Sequence, residues 1–523
     1  MLKKVKIPGF IWTILTMLLF FLITVLIRYG YMSYKVPSNN QGHLILLTTL
    51  ENFVKQGATD CYYSPIQTWN NKGDKHITYY KRLEDYKGNN YYISHPPFSF
   101  ILTYSVFKIL NLTPNQFALQ LMGLISHLLS AVFIYLIITN YFNRRAFAFF
   151  FPAIISYISY LFVPVLMHLY LYHIFCETFV QPFWIIGIYF TLILFKNEVN
   201  RKKLFLLGIL IFLMIYTEWL GLFFAFALSI LCLYYRKREK KYKLIFLTSL
   251  ISSVLALFTI LIQYSSINGF SSFIHSFYIR FIERSGFFGN GLSDQGLSFL
   301  NPQSYLLLLK QIHNLMNGFG YLFLAMFIVS LIITIRSKNY KFKLSQEAKY
   351  LITLSLLPPL MYFFVFFNAS IIHYIYIAKF AVPMSLFMGV IYKKLLLAFS
   401  FKQTKFFIFT FAIVKVAVLI ISIYIFIARA PYDENYAYLE KVTEIITDNT
   451  TGDEAIFVNI KSKAFNPLVF LNYSTKRNIM FSNNQYQAKK LMIDNNKQKA
   501  VFFRFNQKKN FYSIEHLKND SVK

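Results

Sequence analysis

The chain has little charge, and acidic residues are especially scarce. Only 14% of its 523 residues are charged, and 22 Asp and Glu stand against 53 Lys and Arg, a formal net charge of +31 at pH 7. A soluble protein of this length would carry far more charge around several cores, so the composition excludes that class. The 3 cysteines exclude a disulfide scaffold and leave only a Cys61–Cys176 pairing open. CxxC, Walker A, GxGxxG and HExxH patterns are also missing.

Apolar residues dominate instead, in runs long enough to cross a membrane. The chain is 56% hydrophobic and 20% aromatic, and runs near 20 residues match a bilayer core of about 30 Å. The first run, from Phe10 to about Arg28, is too long for a signal peptide and has no small-residue cleavage site. We predict eleven spans, near 10–29, 116–139, 146–167, 178–195, 203–217, 220–235, 243–263, 315–335, 349–367, 376–394 and 405–428.

The positive charge follows the apolar runs and does not form a nucleic-acid surface. Basic clusters fall between alternate pairs of runs, which is the positive-inside pattern that orients membrane proteins. They also anchor helix ends to anionic lipid. The clusters are Lys3-Lys4-Lys6, Arg144-Arg145, Lys196 with Arg201-Lys202-Lys203, Arg236 to Lys243, Arg336 to Lys343, and Lys393 to Lys405. We therefore expect membrane lipids, and no nucleic acid, as partners.

Polar segments on the opposite side predict an outer face with its own structure. The first outer loop, 30–114, ends at His95-Pro96-Pro97, and the short apolar segment after it reads as an interfacial helix. From about 430 the composition becomes polar, with a helix near 434–449 and buried strands at 455–458 and 500–503. The predicted fold is a mainly α, polytopic membrane protein with interfacial helices in the first outer loop and a small C-terminal α/β outer domain.

Ionisable side chains concentrate in the outer loops and the outer halves of the spans. Such groups are expensive at membrane depth and usually line a site. A channel or pump would need them through the full depth, so one-sided clustering favours a site open to the outer leaflet. The candidates are His43, Glu51, His95, His168, His173, Glu177, Glu218, Arg280, Glu283, Arg284, His373 and Lys379.

Several of these candidates have a plain structural interpretation. Glu51 lies on an amphipathic stretch and fits a solvated helix face as well as catalysis. Arg280 and Arg284 are four residues apart beside Glu283, which fits local ion pairing as well as phosphate binding. Glu218 interrupts a long apolar stretch, and it fits a buried structural carboxylate or a site residue.

The order of these features resembles the GT-C glycosyltransferases, especially family 39 and the bacterial aminoarabinose transferases. The matching features are Tyr92 to Phe98, the basic turn Asn143-Arg144-Arg145, Glu177, Thr217-Glu218-Trp219, Asn368 to Lys379 and the tail from 430. They extend over nearly the whole chain, and their order is more specific than any one motif. The resemblance implies a transmembrane domain, 1–429, that includes the first outer loop, and an outer α/β domain, 430–523.

One departure from the family pattern concerns the first outer loop. The family places an Asp-Glu pair about 15 residues before a glycine; counting back from Gly57 reaches Gly42-His43 instead. His43 thus stands where the second acid is expected, and Glu51 or Asp60 is the alternative base.

The resemblance implies transfer of a sugar from a polyprenyl-phosphate donor to a lipid, glycan or protein acceptor. On that basis the catalytic candidates are His43, Glu51 and Glu177, and the substrate-binding candidates are His95, Glu218, Arg280, Arg284, His373 and Lys379. Clustered carboxylates can hold a divalent cation, but no ligand spacing demands one. The expected location is a bacterial inner membrane, with the active site on its outer face.

Two other function classes remain open at this point. A lipid-linked glycan flippase, or a polymerase-like membrane protein without this donor, needs a polar path to both faces. A non-enzymatic envelope scaffold needs no convergence of His43, Glu51, Glu177 and Glu218 at all.

The alternation of basic clusters predicts the membrane orientation. Reporter fusions after Lys343 and after Tyr432 should read inside and outside respectively, because the cluster before the first position is held in the cytoplasm. The measurement is paired reporter activity in intact cells. Two fusions that read the same side would contradict the predicted threading.

Overall fold

The computed structural model describes residues 10–32, 41–77, 83–142, 147–287, 298–336, 345–398, 401–429, 436–461, 467–507 and 511–519. Its helices are α1 (Phe10–Tyr29), α2 (Gln41–Gln56), α3 (Phe98–Ile109), α4 (Gln116–Phe142), α5 (Phe147–Phe162), α6 (Pro164–Tyr172), α7 (Cys176–Lys196), α8 (Arg201–Thr217), α9 (Leu220–Tyr235), α10 (Lys240–Ser285), α11 (Pro302–Arg336), α12 (Gln346–Val365), α13 (Phe367–Ile372), a 3₁₀ helix (Tyr374–Phe380), α14 (Ala381–Ala398), α15 (Phe401–Arg429), α16 (Tyr436–Asp448), α17 (Pro467–Thr475) and α18 (Gln485–Asp494). The strands are β1 (Leu83–Glu84), β2 (Asn90–Tyr91), β3 (Ala455–Lys461), β4 (Ile479–Phe481), β5 (Lys499–Asn506) and β6 (Phe511–Lys518).

The long apolar helices establish an integral membrane protein. Among the described residues, 7 helices are long and apolar enough to cross a bilayer, or up to 9 if each bent pair is one span. The bent pairs are α5 with α6, at 55°, and the two halves of α11, at 96°. The two central spans predicted at 203–217 and 220–235 coincide with α8 and α9, which have only 17 and 16 residues. The count of eleven therefore stays a prediction.

The described chain divides into two compact units. The first unit comprises 1–32, 120–258 and 279–430, and the second comprises 33–119, 259–278 and 431–523. Cys61, Cys176 and Cys232 are buried free thiols, so the pairing left open for Cys61 and Cys176 is not formed. The fusion positions after Lys343 and Tyr432 lie outside the described residues, as does the domain boundary at 430, and both expectations stay predictions.

A buried polar network joins several helices of the first unit. Arg28, fully buried near the end of α1, donates from Nη1 to His127 Nδ1 on α4 at 3.0 Å. The His127 ring stacks on Tyr170 of α6, with centroids 4.4 Å apart. The hydroxyls of Tyr160 and Tyr170 in turn reach Gln181 Oε1 on α7 at 2.7 and 3.3 Å. Polar groups inside an apolar bundle are costly unless they pair, so this network fixes which helices meet.

The second unit contains a four-stranded sheet in the order β4-β3-β5-β6. β3 pairs in parallel with β4 and β5, and β6 is antiparallel to β5. The strands predicted at 455–458 and 500–503 are thus the neighbours β3 and β5. α17, between β3 and β4, and α18, between β4 and β5, supply the crossover helices that parallel strands require, and the sheet is an α/β arrangement as predicted.

The core under this sheet is shared with the first outer loop. Phe457 and Phe502 from the central strands and Met492 from α18 pack there, and so does Ile77, which belongs to the loop between α2 and α3. All four side chains are fully buried. The C-terminal segment and the first outer loop therefore form one hydrophobic core.

A polar clamp reinforces that junction. Asn478 donates to the Trp69 carbonyl at 2.9 Å and accepts from the Trp69 amide at 2.7 Å. Arg477 pairs with the fully buried carboxylate of Asp74, which also accepts from Asn478 at 2.7 Å. Burial raises the pKa of Asp74, while the Arg477 guanidinium opposes that shift. The ion pair and its hydrogen bonds thus compensate the desolvation of a buried charge.

Replacing Arg477 by Met should destabilise the second unit by about 3 kcal/mol, because the Asp74 carboxylate would stay buried without its partner. The matched control is Lys499→Met, which removes an ion pair to Asp453 whose side chains are 57% and 60% exposed. Because that pair is exposed to solvent, its removal should change the stability far less than loss of Arg477. Unfolding of the purified protein in detergent measures both, and equal losses would contradict the role of the clamp.

Candidate functional site

The junction of α6 and α7 places the first candidate carboxylate. α6 ends at Tyr172, and α7 starts after an extended turn in which Thr178 donates to the His173 carbonyl at 2.6 Å. Glu177 lies in the first turn of α7, where the helix dipole favours a carboxylate. Its side chain is 1% exposed, and its Oε2 is 3.6 Å from His173 Nε2. The structure therefore pairs Glu177 with a histidine at the start of a helix.

The break between α8 and α9 places a second acid–base pair. Glu218 follows the last residue of α8, and its Oε2 accepts from the Leu220 amide at 3.2 Å. Its Oε1 lies 3.5 Å from Lys379 Nζ on the 3₁₀ helix, with both side chains at most 1% exposed. Glu177 lies close enough to Glu218 for the two carboxylates to interact. Both predicted carboxylates thus belong to one buried cluster.

Two tyrosines enclose the Lys379 ammonium. Nζ lies 4.0 Å from the ring centre of Tyr362 and 4.3 Å from that of Tyr376. The Tyr376 hydroxyl accepts a hydrogen bond from Arg284 Nη1 at 2.8 Å. Cation–π contacts are strongest where water is excluded, so the rings fix the ammonium in place. Tyr376 therefore links the two cations Lys379 and Arg284.

His373 belongs to the same cluster. Its ring centre is 5.8 Å from that of Tyr376. Burial lowers the pKa of His373 to about 3, the positive charges of Arg284 and Arg280 lower it as well, and Glu177 opposes them. His373 is therefore neutral near pH 7 and can accept or donate a hydrogen bond without adding charge.

Arg280 and Arg284 have different surroundings, although they lie four residues apart on α10. Arg280 Nη1 lies 2.7 Å from Glu283 Oε2, which is the local ion pair considered as the structural interpretation. Glu283 is in addition held through its carbonyl, which accepts from Asn368 at 2.7 Å. Arg284 contacts Tyr376, so it is the arginine that belongs with Lys379.

His43, Glu51 and His95 lie in the second unit, whereas His168 lies in the first. His43 and Glu51 both lie on α2, which runs from Gln41 to Gln56 as one helix. His43 is fully buried. Glu51 Oε1 lies 2.6 Å from Lys476 Nζ, and its Oε2 lies 3.5 Å from Lys55. The solvated helix face considered for Glu51 is therefore not what the structure shows. Its carboxylate contacts a lysine of the C-terminal segment.

Lys476 is part of an aromatic cluster beside α2. Its ammonium lies 3.6 Å from the ring centre of Tyr473 and 4.9 Å from that of Trp69. Burial lowers the pKa of Lys476, and the Glu51 carboxylate opposes that shift. Asn71 also donates to the Lys476 carbonyl at 2.7 Å, which holds a residue with a φ of +56°.

His95 lies in the turn before α3 and is 1% exposed. Pro96 and Pro97 follow it, and α3 begins at Phe98, so the prolines stiffen the turn as expected. Asp60, the reserve candidate for the base, is exposed to solvent. The placement of His43, Glu51 and His95 in one cavity with Glu177 and Glu218 stays a prediction.

Sequence reasoning missed Tyr362, Tyr376 and Lys476. The tyrosines gave no signal, because 39 tyrosines and 59 phenylalanines are scattered through the chain. Lys476 could have been found only through a contact between positions 425 residues apart. Within the described part of the chain, no group of three or more His, Cys, Asp and Glu side chains could hold a metal ion. The donor set therefore fits a metal poorly.

Known proteins resemble this chain in fold but not detectably in sequence. No protein-family model matches the chain, and no curated protein sequence matches it. Solved structures do match. The oligosaccharyltransferase of Archaeoglobus fulgidus, tethered with an acceptor peptide containing the NVT sequon, aligns with a TM-score of 0.61 and 14% identity over 94% of this chain and 69% of that chain. The same enzyme, AglB, in complex with an inhibitory peptide and a dolichol-phosphate gives a TM-score of 0.59 at 14% identity, with 94% and 69% covered.

ArnT from Cupriavidus metallidurans, bound to undecaprenyl phosphate, aligns with a TM-score of 0.56 and 13% identity over 93% of this chain and 92% of that chain. The chain has the GT-C fold. The resemblance inferred from the order of short motifs is thereby confirmed at the level of the fold. A further structure of the Archaeoglobus enzyme is in complex with zinc and sulfate.

Replacing Lys379 by Met should destabilise the protein by about 3–5 kcal/mol, because the buried Glu218 carboxylate would lose its cation. The double variant Lys379→Met with Glu218→Gln should recover most of that loss. Lys349→Met on α12, an exposed position, is the control and should stay within about 0.5 kcal/mol. Unfolding in detergent is the measurement, and a double variant no more stable than Lys379→Met alone would argue against the pair.

Proposed function

We propose that this protein is an integral-membrane glycosyltransferase that moves a sugar from a polyprenyl-phosphate donor to an acceptor. The observation that carries the proposal is the buried cluster in which Lys379 and Arg284 meet at Tyr376, with Glu177 and Glu218 beside them. Two cations and a neutral His373 at one place suit a leaving phosphate. The GT-C fold supports the class of reaction.

The donor side of the proposed reaction uses the cations. The Lys379 ammonium, which is paired with Glu218, has three N–H donors and would also donate to a phosphate head group. The Arg284 guanidinium and the Tyr376 hydroxyl would donate hydrogen bonds to the same oxygens. Such donors stabilise the charge that develops as the C1–oxygen bond to phosphate breaks. Arg280 is paired with Glu283, so it would stabilise the phosphate charge only from a greater distance.

The acceptor side needs a base. An acceptor hydroxyl attacks C1 of the sugar and its proton passes to the base. The new C1–oxygen bond forms as the bond to phosphate breaks, and the phosphate leaves with that electron pair. Attack from the face opposite the leaving group inverts the configuration at C1. Histidine and carboxylate suit the transfer near neutral pH.

His43, Glu51 and Glu177 are the proposed candidates for that base. Lys476 and Lys55 both contact the Glu51 carboxylate, so its two oxygens are already engaged by cations. His43 takes the position of the family's acid on the same helix. Glu177 with His173 forms a carboxylate–imidazole pair, an arrangement that can also accept a proton.

The proposed acceptor is based on the matched structures, and the proposed location on the pattern of basic residues. The matched structures hold an acceptor peptide, a dolichol-phosphate and an undecaprenyl phosphate, so we propose a lipid, glycan or protein acceptor and a lipid-phosphate donor. We also propose a bacterial inner membrane, and the arrangement of basic clusters supports a site on its outer face.

The test is to incubate purified protein with radiolabelled undecaprenyl-phosphate and dolichyl-phosphate sugars, hexoses and pentoses alike. Consumption of at least one donor, with transfer of label to a membrane or peptide fraction, is the expected result. Protein that consumes none of them and instead moves the intact lipid between leaflets would overturn the proposal.

The variants His43→Ala, Glu51→Gln and Glu177→Gln are each compared with the wild type for turnover of the donor found in that assay. Loss of the general base typically lowers turnover by about 10² to 10⁴, so one of the three should fall in that range. Glu444→Gln, at an exposed position of α16, should keep wild-type turnover. If all three keep more than about a tenth of it, the base lies elsewhere and Asp60 is the next candidate.

Whether the proposed reaction requires a divalent cation can be tested separately. The enzyme of Archaeoglobus has been solved with zinc, whereas the steps above use side chains of this chain alone. Chelator-treated protein should therefore keep its turnover, and a loss that Mn²⁺ or Mg²⁺ reverses would assign a metal to the carboxylate cluster.

One observation favours the flippase as a second candidate. Lys415 lies at the centre of α15, is buried, and donates from Nζ to Ser159 Oγ at 2.5 Å. Its ammonium also lies 4.5 Å from the Phe319 ring. A cation midway along a span was not expected from a site restricted to the outer face. Lys415→Met that abolishes lipid translocation but spares sugar transfer would support the second function.

A further inference from the structure

The outer part of α10 contacts the first outer loop through two consecutive residues. The Gln263 side-chain amide donates to the carbonyls of Tyr62 and Tyr63 at 3.1 and 2.8 Å. The Tyr264 hydroxyl donates to the carbonyl of His95 at 2.8 Å. All of these residues belong to the second unit. One turn of a single helix thus contacts two separate turns of the loop.

The turn contacted by Gln263 has an unfavourable backbone conformation. Tyr62 and Tyr63 have φ values of +54° and +49°, the left-handed region that residues other than glycine rarely enter. Two such residues in succession persist only where the surroundings impose the conformation. The paired carbonyl contacts of Gln263 supply that constraint from outside the loop.

The turn contacted by Tyr264 has fewer local donors than an ordinary turn. Pro96 and Pro97 follow His95 and have no amide hydrogen to offer. The His95 carbonyl takes a hydrogen bond from the Tyr264 hydroxyl, which is also 3.4 Å from the Tyr92 carbonyl. Tyr264 is 1% exposed, so its hydroxyl is held in place.

A break in α10 holds the Tyr264 ring. On an unbroken helix Tyr264 and Phe273 would be about 13 Å apart along the axis and on opposite faces. Their ring centres are instead 5.3 Å apart and nearly parallel. The chain turns at Asn268 and Gly269, and Gly269 has a φ of +80°, which glycine adopts without strain. The returning segment thus packs Phe273 against the ring that contacts His95.

We propose that Tyr264, assisted by Gln263, is a positioning residue of the transfer reaction and acts through His95. The inference rests on the proposed function and on His95 as a substrate-binding candidate, which would contact the donor sugar or its phosphate. Tyr264 fixes the His95 carbonyl, the two prolines fix the backbone that follows, and the imidazole is aimed through its backbone. Gln263 holds the Tyr62–Tyr63 turn of the same loop.

The test uses full-length protein in detergent and the variant Tyr264→Phe, which removes one hydroxyl and keeps the ring that packs on Phe273. The matched control is Tyr278→Phe on the same helix, whose residue is 56% exposed. Amide hydrogen exchange of the peptide covering 91–100 should rise at least about fivefold in Tyr264→Phe and stay unchanged in the control, as for loss of one buried hydrogen bond. Unchanged exchange in Tyr264→Phe would overturn the inference.

The second arm measures turnover of the donor identified above in a double-mutant cycle with His95→Ala. Tyr264→Phe alone should lower kcat by about fivefold to tenfold, the effect of one hydrogen bond. In the His95→Ala background it should lower kcat no further, because the two act through one side chain. Additive losses would show a merely structural role and overturn the positioning role. If the wild type consumes no donor while exchange rises as expected, the proposed function fails and the fixing of the turn stands.

Discussion

The constraint on which the rest of the structure depends is the cost of holding charge inside an apolar bundle. Glu218 and Lys379 are almost fully buried, 3.5 Å apart, and neither can be removed from water without the other. Because they come from distant parts of the chain, their pairing fixes the α8–α9 break against the 3₁₀ helix. Tyr362 and Tyr376 then take positions set by the ammonium. The proposed chemistry and the architecture therefore depend on the same few side chains.

The sequence predicted the elements whose signal is local. Apolar runs located the long helices. Glu177 and Glu218 were selected because a carboxylate in an apolar stretch is costly, and both are buried in the structure. The GT-C fold followed from the order of motifs, although each motif alone is too short to be specific.

What the sequence could not predict depends on contacts between remote positions. Glu51 fitted a solvated helix face as well as catalysis. Its partner Lys476 is 425 positions away in the sequence, and no local pattern predicts the pair. Lys415 was overlooked because one lysine in an apolar run reads as a snorkelling residue until Ser159 and Phe319 are seen around it. The break in α10 was also missed, since one glycine in an apolar helix is a weak signal.

The shared core of the second unit has a consequence for the order in which the chain is made. Ile77 leaves the ribosome about 380 residues before Phe457, the strand residue against which it packs. At roughly 5–20 residues per second, the first outer loop waits about 20–75 seconds after its own synthesis before its hydrophobic partner exists. During that interval Ile77 and the Asp74 carboxylate face water or a chaperone. A chain that stops short of its last hundred residues therefore carries a defect in its first hundred.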